Sequence, residues 1–146
     1  MHLTVGVFGD QELAKRLGKK GTTNDIAIFN HASSEAVLTY VCPNSEKVQP
    51  LLQTLNMIDA PILVANSLTK EIGEMIVAID EMKFEKGFIL TGIADQLGQV
   101  IKNTSLKNFE IVEESSLRQE ILNLNIERNK DFLLVPIDNY FSVTGV

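Results

Sequence analysis

Any chemistry of the usual α/β kind would be placed by the residues that leave the first apolar run, Leu3 to Phe8: Gly9, Asp10 and Gln11, then Lys19-Lys20-Gly21-Thr22-Thr23. In an open parallel sheet the turn after the first strand is where a ligand normally sits, because the next helix offers free N–H groups and the positive end of its dipole to an anion. A P-loop at that point would read G-x-x-x-x-G-K-[ST]. Its glycines let backbone N–H groups wrap the phosphates, its lysine reaches their outer oxygens and its hydroxyl holds Mg²⁺. Here Asp10, Gln11, Glu12 and Leu13 follow Gly9, with no G-K-[ST] nearby. Asp10 and Glu12 complement the helix dipole themselves and would repel a phosphate.

Other reactive residue types are scattered. His2 and His31 have no carboxylate, cysteine or second histidine at ligand spacing and read as solvated loop residues. Ser33-Ser34, Ser115-Ser116 and Cys42 fall in no nucleophile-elbow or triad pattern, so capping or packing is their expected work. Lys15, Arg16, Lys19 and Lys20 crowd the end of a short helix. They either complement its negative end or contact the phosphate of an RNA or a nucleotide. Gly21-Thr22-Thr23 reads as a turn whose hydroxyls satisfy local backbone groups.

The elements that must position these residues follow from the hydrophobic pattern. Leu3 to Phe8 is a buried strand, and Glu12 to Gly18 a helix ended by glycine. Asp25 to Asn30 and Ala36 to Val41 form a strand pair joined through Asn30-His-Ala-Ser-Ser. Ser45 is placed to cap a helix with Val48, Leu51, Leu52 and Leu55 on one stripe, and Ile62 to Ala65 is a short strand. Thr69 caps an amphipathic helix with Ile72, Met75, Ile76, Ile79 and Met82 on one face. Phe88 to Thr91 and Phe109 to Val112 are strands, each followed by a helix. Such alternation gives right-handed βαβ units. The expected fold is therefore α/β, three-layered, with a mostly parallel sheet and an antiparallel edge.

With 146 residues, 45% of them hydrophobic, the chain can bury one sizeable core. A net charge of −6 argues against a general nucleic-acid coat, DNA included, while leaving room for local basic patches. One cysteine excludes an internal disulfide and a Cys-based zinc site, which fits a reducing compartment. No apolar run is long enough to span a membrane, and the N-terminus lacks a signal pattern. A soluble, cytoplasmic protein without a membrane partner is expected. From Phe132 to Gly145 the chain turns extended and proline-interrupted, and reads as cut just inside a second, β-rich domain.

Several stretches together resemble translational GTPases of the EF-Tu superfamily, particularly the SelB branch. Gly21-Thr22-Thr23-Asn24-Asp25-Ile26 resembles their G-I-T-x-D-[IL] switch, and Tyr40-Val41-Cys42-Pro43-Asn44-Ser45 their V-D-C-P-G-H. Gly92-Ile93-Ala94-Asp95 falls where they carry N-K-x-D. Pro136 to Gly145 is similar to the [IV]-D-x-x-F-x-V-x-G lead-in to their β-barrel second domain. The nearest resemblance is to archaeal SelB-like proteins with degenerate G domains, the EF-Tu domain-two proteins, where L-G-K-K-G-T-[ST]-[NS]-D-I recurs as Leu17 to Ile26.

The resemblance implies a P-loop NTPase-like, G-domain-like fold with a degenerate P-loop over residues 1–130, followed by a lead-in at 131–146 to a truncated second domain. It implies nucleotide contacts at Gly9, Thr23, Asp95 and Ser115, Mg²⁺ at Thr23, and RNA contacts at Lys15, Arg16, Lys19 and Lys20. The departures weigh against activity. The P-loop lysine has no counterpart, Val41 replaces the Mg²⁺-side aspartate, Asn44 the γ-phosphate-sensing glycine and Ser45 the water-positioning histidine. Gly92 and Ile93 replace the base-reading Asn and Lys. Phosphoryl transfer rests on positioning and on the charge of Lys and Mg²⁺. The implied role is thus a translation elongation factor domain acting as a pseudo-GTPase scaffold, with weak or no binding of GTP and Mg²⁺. Aminoacyl-tRNA or the ribosome would be met through the full-length protein. A functional GTPase with non-standard phosphate contacts and a protein-interaction module without nucleotide are the alternatives.

Overall fold

Strands and helices alternate from the first residues onward. In chain order they are β1 (His2–Phe8), α1 (Gln11–Leu17), β2 (Lys19–Thr23), β3 (Ile26–Ala32), β4 (Val37–Pro43), α2 (Val48–Met57), β5 (Ala60–Val64), α3 (Lys70–Glu81), β6 (Phe88–Leu90), α4 (Ala94–Ile101), a 3₁₀ turn (Ser105–Asn108), β7 (Glu110–Ile111) and α5 (Glu114–Leu122). These elements come from a computed structural model that describes residues 1–44 and 47–126, the side chain of Thr22 excepted. The strands make one sheet in the order β2-β3-β4-β1-β5-β6-β7. From β4 to β7 every neighbouring pair is parallel, and β2-β3-β4 are antiparallel. This is the three-layer, mostly parallel α/β architecture with an antiparallel edge that the sequence implies.

Period-two alternation in the central strands builds two cores. Val5, Val7, Ile62, Val64 and Phe88 point to one face, where they meet Leu13 and Leu17 of α1 and Leu117 and Ile121 of α5. Phe8, Leu63 and Ile89 point to the other, against Leu55 of α2, Ile72, Ile76 and Ile79 of α3, and Leu97 and Ile101 of α4. Strands covered on both faces read as continuous apolar runs, and β5 is buried along its whole length. Each fully buried Leu, Ile or Phe contributes roughly 1.5–3 kcal/mol relative to exposure.

Local signals set the helix ends. Asp10 Oδ1 accepts the N–H of Glu12 at 2.9 Å at the start of α1, and Thr69 Oγ1 accepts that of Ile72 at 3.3 Å at the start of α3. The α3 helix ends before Lys83, which takes a left-handed φ of 52°. Ser105 N–H then donates to Asp80 Oδ1 at 2.8 Å, tying the 3₁₀ turn back to α3. That bond, with help from Lys83, holds the Asp80 carboxyl below its ordinary range.

Four details differ from the sequence reading. Gly21-Thr22-Thr23 is the end of strand β2, an extra antiparallel edge strand, rather than a turn. Edge residues need no apolar alternation, and the pairing with β3 shifts register between Lys20 and Thr23, so the stretch carries no period-two signal. His2 and His31 lie on β1 and β3, not in loops, and His2 Nε2 is 3.3 Å from Thr39 Oγ1. The α2 stripe is only half buried: Leu55 is in the core while Val48 and Leu52 are exposed. Finally, α2 begins behind Lys47, which makes no side-chain capping bond. Ser45 lies outside the described residues, as does the whole Phe132 to Gly145 stretch.

Candidate functional site

Ligands of this architecture sit at the C-terminal ends of the parallel strands, and there the turn after β1 is filled by the chain itself. Only Gly9 and Asp10 separate β1 from α1. Gly9 takes φ +96°, and a Cβ on it would lie 2.1 Å from the carbonyl oxygen of Val64. The exit of β1 is therefore pressed onto the end of β5, which only glycine permits. Asp10 occupies the start of α1 with its own carboxylate and also faces Arg16, Oδ2 to guanidinium nitrogen 3.6 Å. The helix end that would meet a phosphate is thus occupied by an anion already.

The crest over β5 and β6 is braced in the same way. Asn66 Oδ1 accepts the N–H of Gly92 at 2.9 Å. Thr91 Oγ1 donates to the carbonyl of Ala65 and accepts the N–H of Ile93 at 3.0 Å. Asp95 follows in the first turn of α4 and Ser115 in the first turn of α5, both exposed. Neither borders the two cavities described below. Gly9, Thr23, Asp95 and Ser115 are therefore not gathered around one cavity: Gly9 borders the larger and Thr23 the smaller.

Of the four cations, Lys15 and Lys20 border one cavity while Arg16 turns away from it. Arg16 forms a two-pronged pair with Glu114, Nε to Oε1 2.7 Å and a terminal nitrogen to Oε2 3.1 Å, which clamps α1 to the start of α5. This bond raises Arg16 and holds the Glu114 carboxyl below its ordinary range. Lys15 pairs with Glu12 one turn earlier. Lys19 and Lys20 are exposed on β2. The helix end itself is served by Arg118, which donates to the carbonyl of Leu17 at 3.0 Å. Sequence reasoning missed that residue because its partner is 101 positions away.

Two cavities flank the closed turn. The larger, about 1040 Å³, is an apolar groove between α2 and α3 whose walls include the exposed Val48, Leu52, Val77 and Met82. The smaller, about 410 Å³, lies between α1 and the β2–β3 hairpin and is lined by Gln11, Lys15, Lys20, Thr23, Phe29 and Asn44, with Gly18 at one side. Asn44 is held at the boundary by its own N–H to Asp25 O, 2.7 Å, and by its Nδ2 to Asn24 O, 2.9 Å. Cys42 is buried, and burial pushes its thiol up to about 12, which makes it a poor nucleophile. Among the described residues no group of three or more His, Cys, Asp or Glu could hold a metal ion, and no helix is long and apolar enough to cross a membrane.

Strand order, layer count and the antiparallel edge define a G-domain-like α/β fold. Among solved structures, the translation elongation factor SelB of Methanococcus maripaludis, in complex with the GTP analogue GppNHp, matches with a TM-score of 0.68 at 17% identity, over 89% of this chain and 36% of SelB. A bacterial selenocysteine-specific elongation factor matches at 0.63 and 13% identity, over 84% of this chain and 28% of its own. The cytosolic domain of the FeoB iron transporter of T. maritima matches at 0.56 and 16%, over 88% and 67%. These likenesses show an EF-Tu-like fold. In sequence, an uncharacterized protein of Methanocaldococcus jannaschii is 38% identical over 99% of this chain, which spans about half (50%) of that relative's length. No protein-family model matches the chain.

Proposed function

We propose that this chain is the G-domain-like part of a SelB/EF-Tu-like translation elongation factor, working as a pseudo-GTPase scaffold in the cytoplasm. The observation that carries the proposal is the two-residue turn after β1, where Gly9 abuts the Val64 carbonyl and Asp10 caps α1. A β-phosphate needs a ring of free backbone N–H groups and a lysine at that point. Here the place is taken by a carboxylate. Thr23 and Asp95, the positions matching the Mg²⁺ threonine and base-reading aspartate, are kept but have no phosphate anchor between them. Residues 1–130 would serve as the domain, 131–146 as the lead-in to the next, and aminoacyl-tRNA or the ribosome would be met by the full-length protein. Lys15, Arg16, Lys19 and Lys20 would supply local RNA contacts, Lys15 and Arg16 by leaving their exposed partners Glu12 and Glu114.

Calorimetric titration with GTP and GDP, with and without Mg²⁺, tests this. The expected outcome is no Mg²⁺-dependent binding tighter than about 1 mM, a free energy of roughly −4 kcal/mol. Mg²⁺-dependent micromolar binding abolished by Asp95→Ala would overturn it in favour of a GTPase with non-standard phosphate contacts.

A further inference from the structure

We infer that the smaller cavity, between α1 and the β2–β3 hairpin, is a binding site for a phosphate or pyrophosphate anion that works without Mg²⁺ and without reading a base. The inference does not rest on the scaffold proposal. Gln11 and Lys15, four residues apart, lie on one face of α1, and Gly18 follows where that helix ends. Across the cavity stand Lys20 and Thr23 of β2. Phe29, the register partner of Lys20, is buried and gives the cavity an apolar floor.

Charge decides the ligand class. The chain carries 19 acidic residues against 13 Lys and Arg, yet among the described residues two lysines and no carboxylate line this cavity. Around it stand donors of three kinds: ammonium at Lys15 and Lys20, amide at Gln11 and hydroxyl at Thr23. One of the two N–H groups of Asn44 Nδ2 is bound to Asn24 O, which fixes Asn44 in the wall. A cation would find acceptors few and like charges close. A carboxylate could bind, but three oxygens on a dianion match spread donors better, and each lysine adds a charge-assisted bond. At about 410 Å³ the cavity holds a phosphate with a sugar-sized substituent.

The ion pair of Lys15 with Glu12 sharpens the proposal. Glu12 does not line the cavity, so it competes with the ligand for one ammonium. Removing its charge should therefore tighten binding.

The test is titration of the protein with inorganic pyrophosphate in Mg²⁺-free buffer, read by calorimetry and by amide NMR shifts. Saturable binding is expected, with shifts at Gln11, Gly18, Thr23 and Phe29. The double variant Lys15→Gln/Lys20→Gln should weaken it at least about tenfold, and Glu12→Gln should strengthen it about two- to fivefold, the scale of one exposed charge. ATP and GTP binding equally, and better than pyrophosphate, would support the site with a nucleotide as the phosphate source. Pyrophosphate binding as well as either would support it with free phosphate as the source. The inference is overturned if no saturable shifts occur around the cavity, or if the double variant binds like the parent. It is also overturned if a 5′-hydroxyl RNA oligonucleotide shifts these residues while pyrophosphate does not. Failure of the scaffold proposal looks different: it requires Mg²⁺-dependent, Asp95-sensitive GTP binding.

Discussion

The crest over β1 and β5 and the cleft beside the β2–β3 hairpin lie at the same end of the sheet but are built in opposite ways. Over the central strands, backbone meets backbone. Gly9 touches the Val64 carbonyl, and the polar groups of Asp10, Asn66 and Thr91 are spent on neighbouring N–H and C=O groups. Beside the edge hairpin, long flexible side chains surround open volume. The central position, where this architecture ordinarily binds ligands, is filled by the chain itself, while open volume bordered by lysines lies at the edge.

The comparison can be broken most sharply at Gly9. Gly9→Ala places a methyl against a fixed carbonyl at a positive φ, and we expect a loss of more than about 2 kcal/mol in urea denaturation. A near-neutral result would mean the crest is loose and able to open for a ligand. Next in size is Asn66→Ala, which leaves the Gly92 N–H without its side-chain acceptor. A cost of about 1 kcal/mol is expected, with no change in pyrophosphate binding at the distant cleft. If binding fell in parallel, the two regions would be coupled rather than separate.

The smallest effect is expected at the clamp between α1 and α5. The Glu114 carboxyl is held below its ordinary range by its bond to Arg16, so its contribution to stability is full above the unfolded-state carboxylate pKa and is lost as the pH falls through the lower folded value. The pair is half exposed, so solvent screens it. Thermal unfolding of Glu114→Gln should lie slightly below the parent at neutral pH and converge with it in acid. An offset that persists unchanged in acid would show that Glu114 acts through something other than its charge.

How much of this was legible beforehand varies by region. The central strands, the Thr69 cap and the glycine that ends α1 announce themselves through runs and spacings of a few residues, because burial on both faces and capping are local demands. β2 did not, since an edge strand with Lys, Gly and Thr pairs through its backbone and needs no apolar pattern. Arg118 and Asn66 were equally silent. Their partners, Leu17 and Gly92, come near only once the sheet is assembled. The four cations looked like one patch in the sequence, but in space Arg16 is drawn to Glu114 while Lys15 and Lys20 border one cavity.

By itself the sequence determined the alternation of strand and helix, and hence a mostly parallel three-layer sheet, because hydrophobic periodicity dictates which faces must be buried. It also determined that no P-loop follows β1, since that motif is a contiguous string of residues. Only the tertiary structure decided that Gly9 closes the crest against β5, and that Lys15 and Lys20 share a cavity floored by Phe29 while Arg16 turns away to Glu114. Those outcomes depend on which distant segments the folded sheet brings within a few ångströms, and no local pattern encodes that distance.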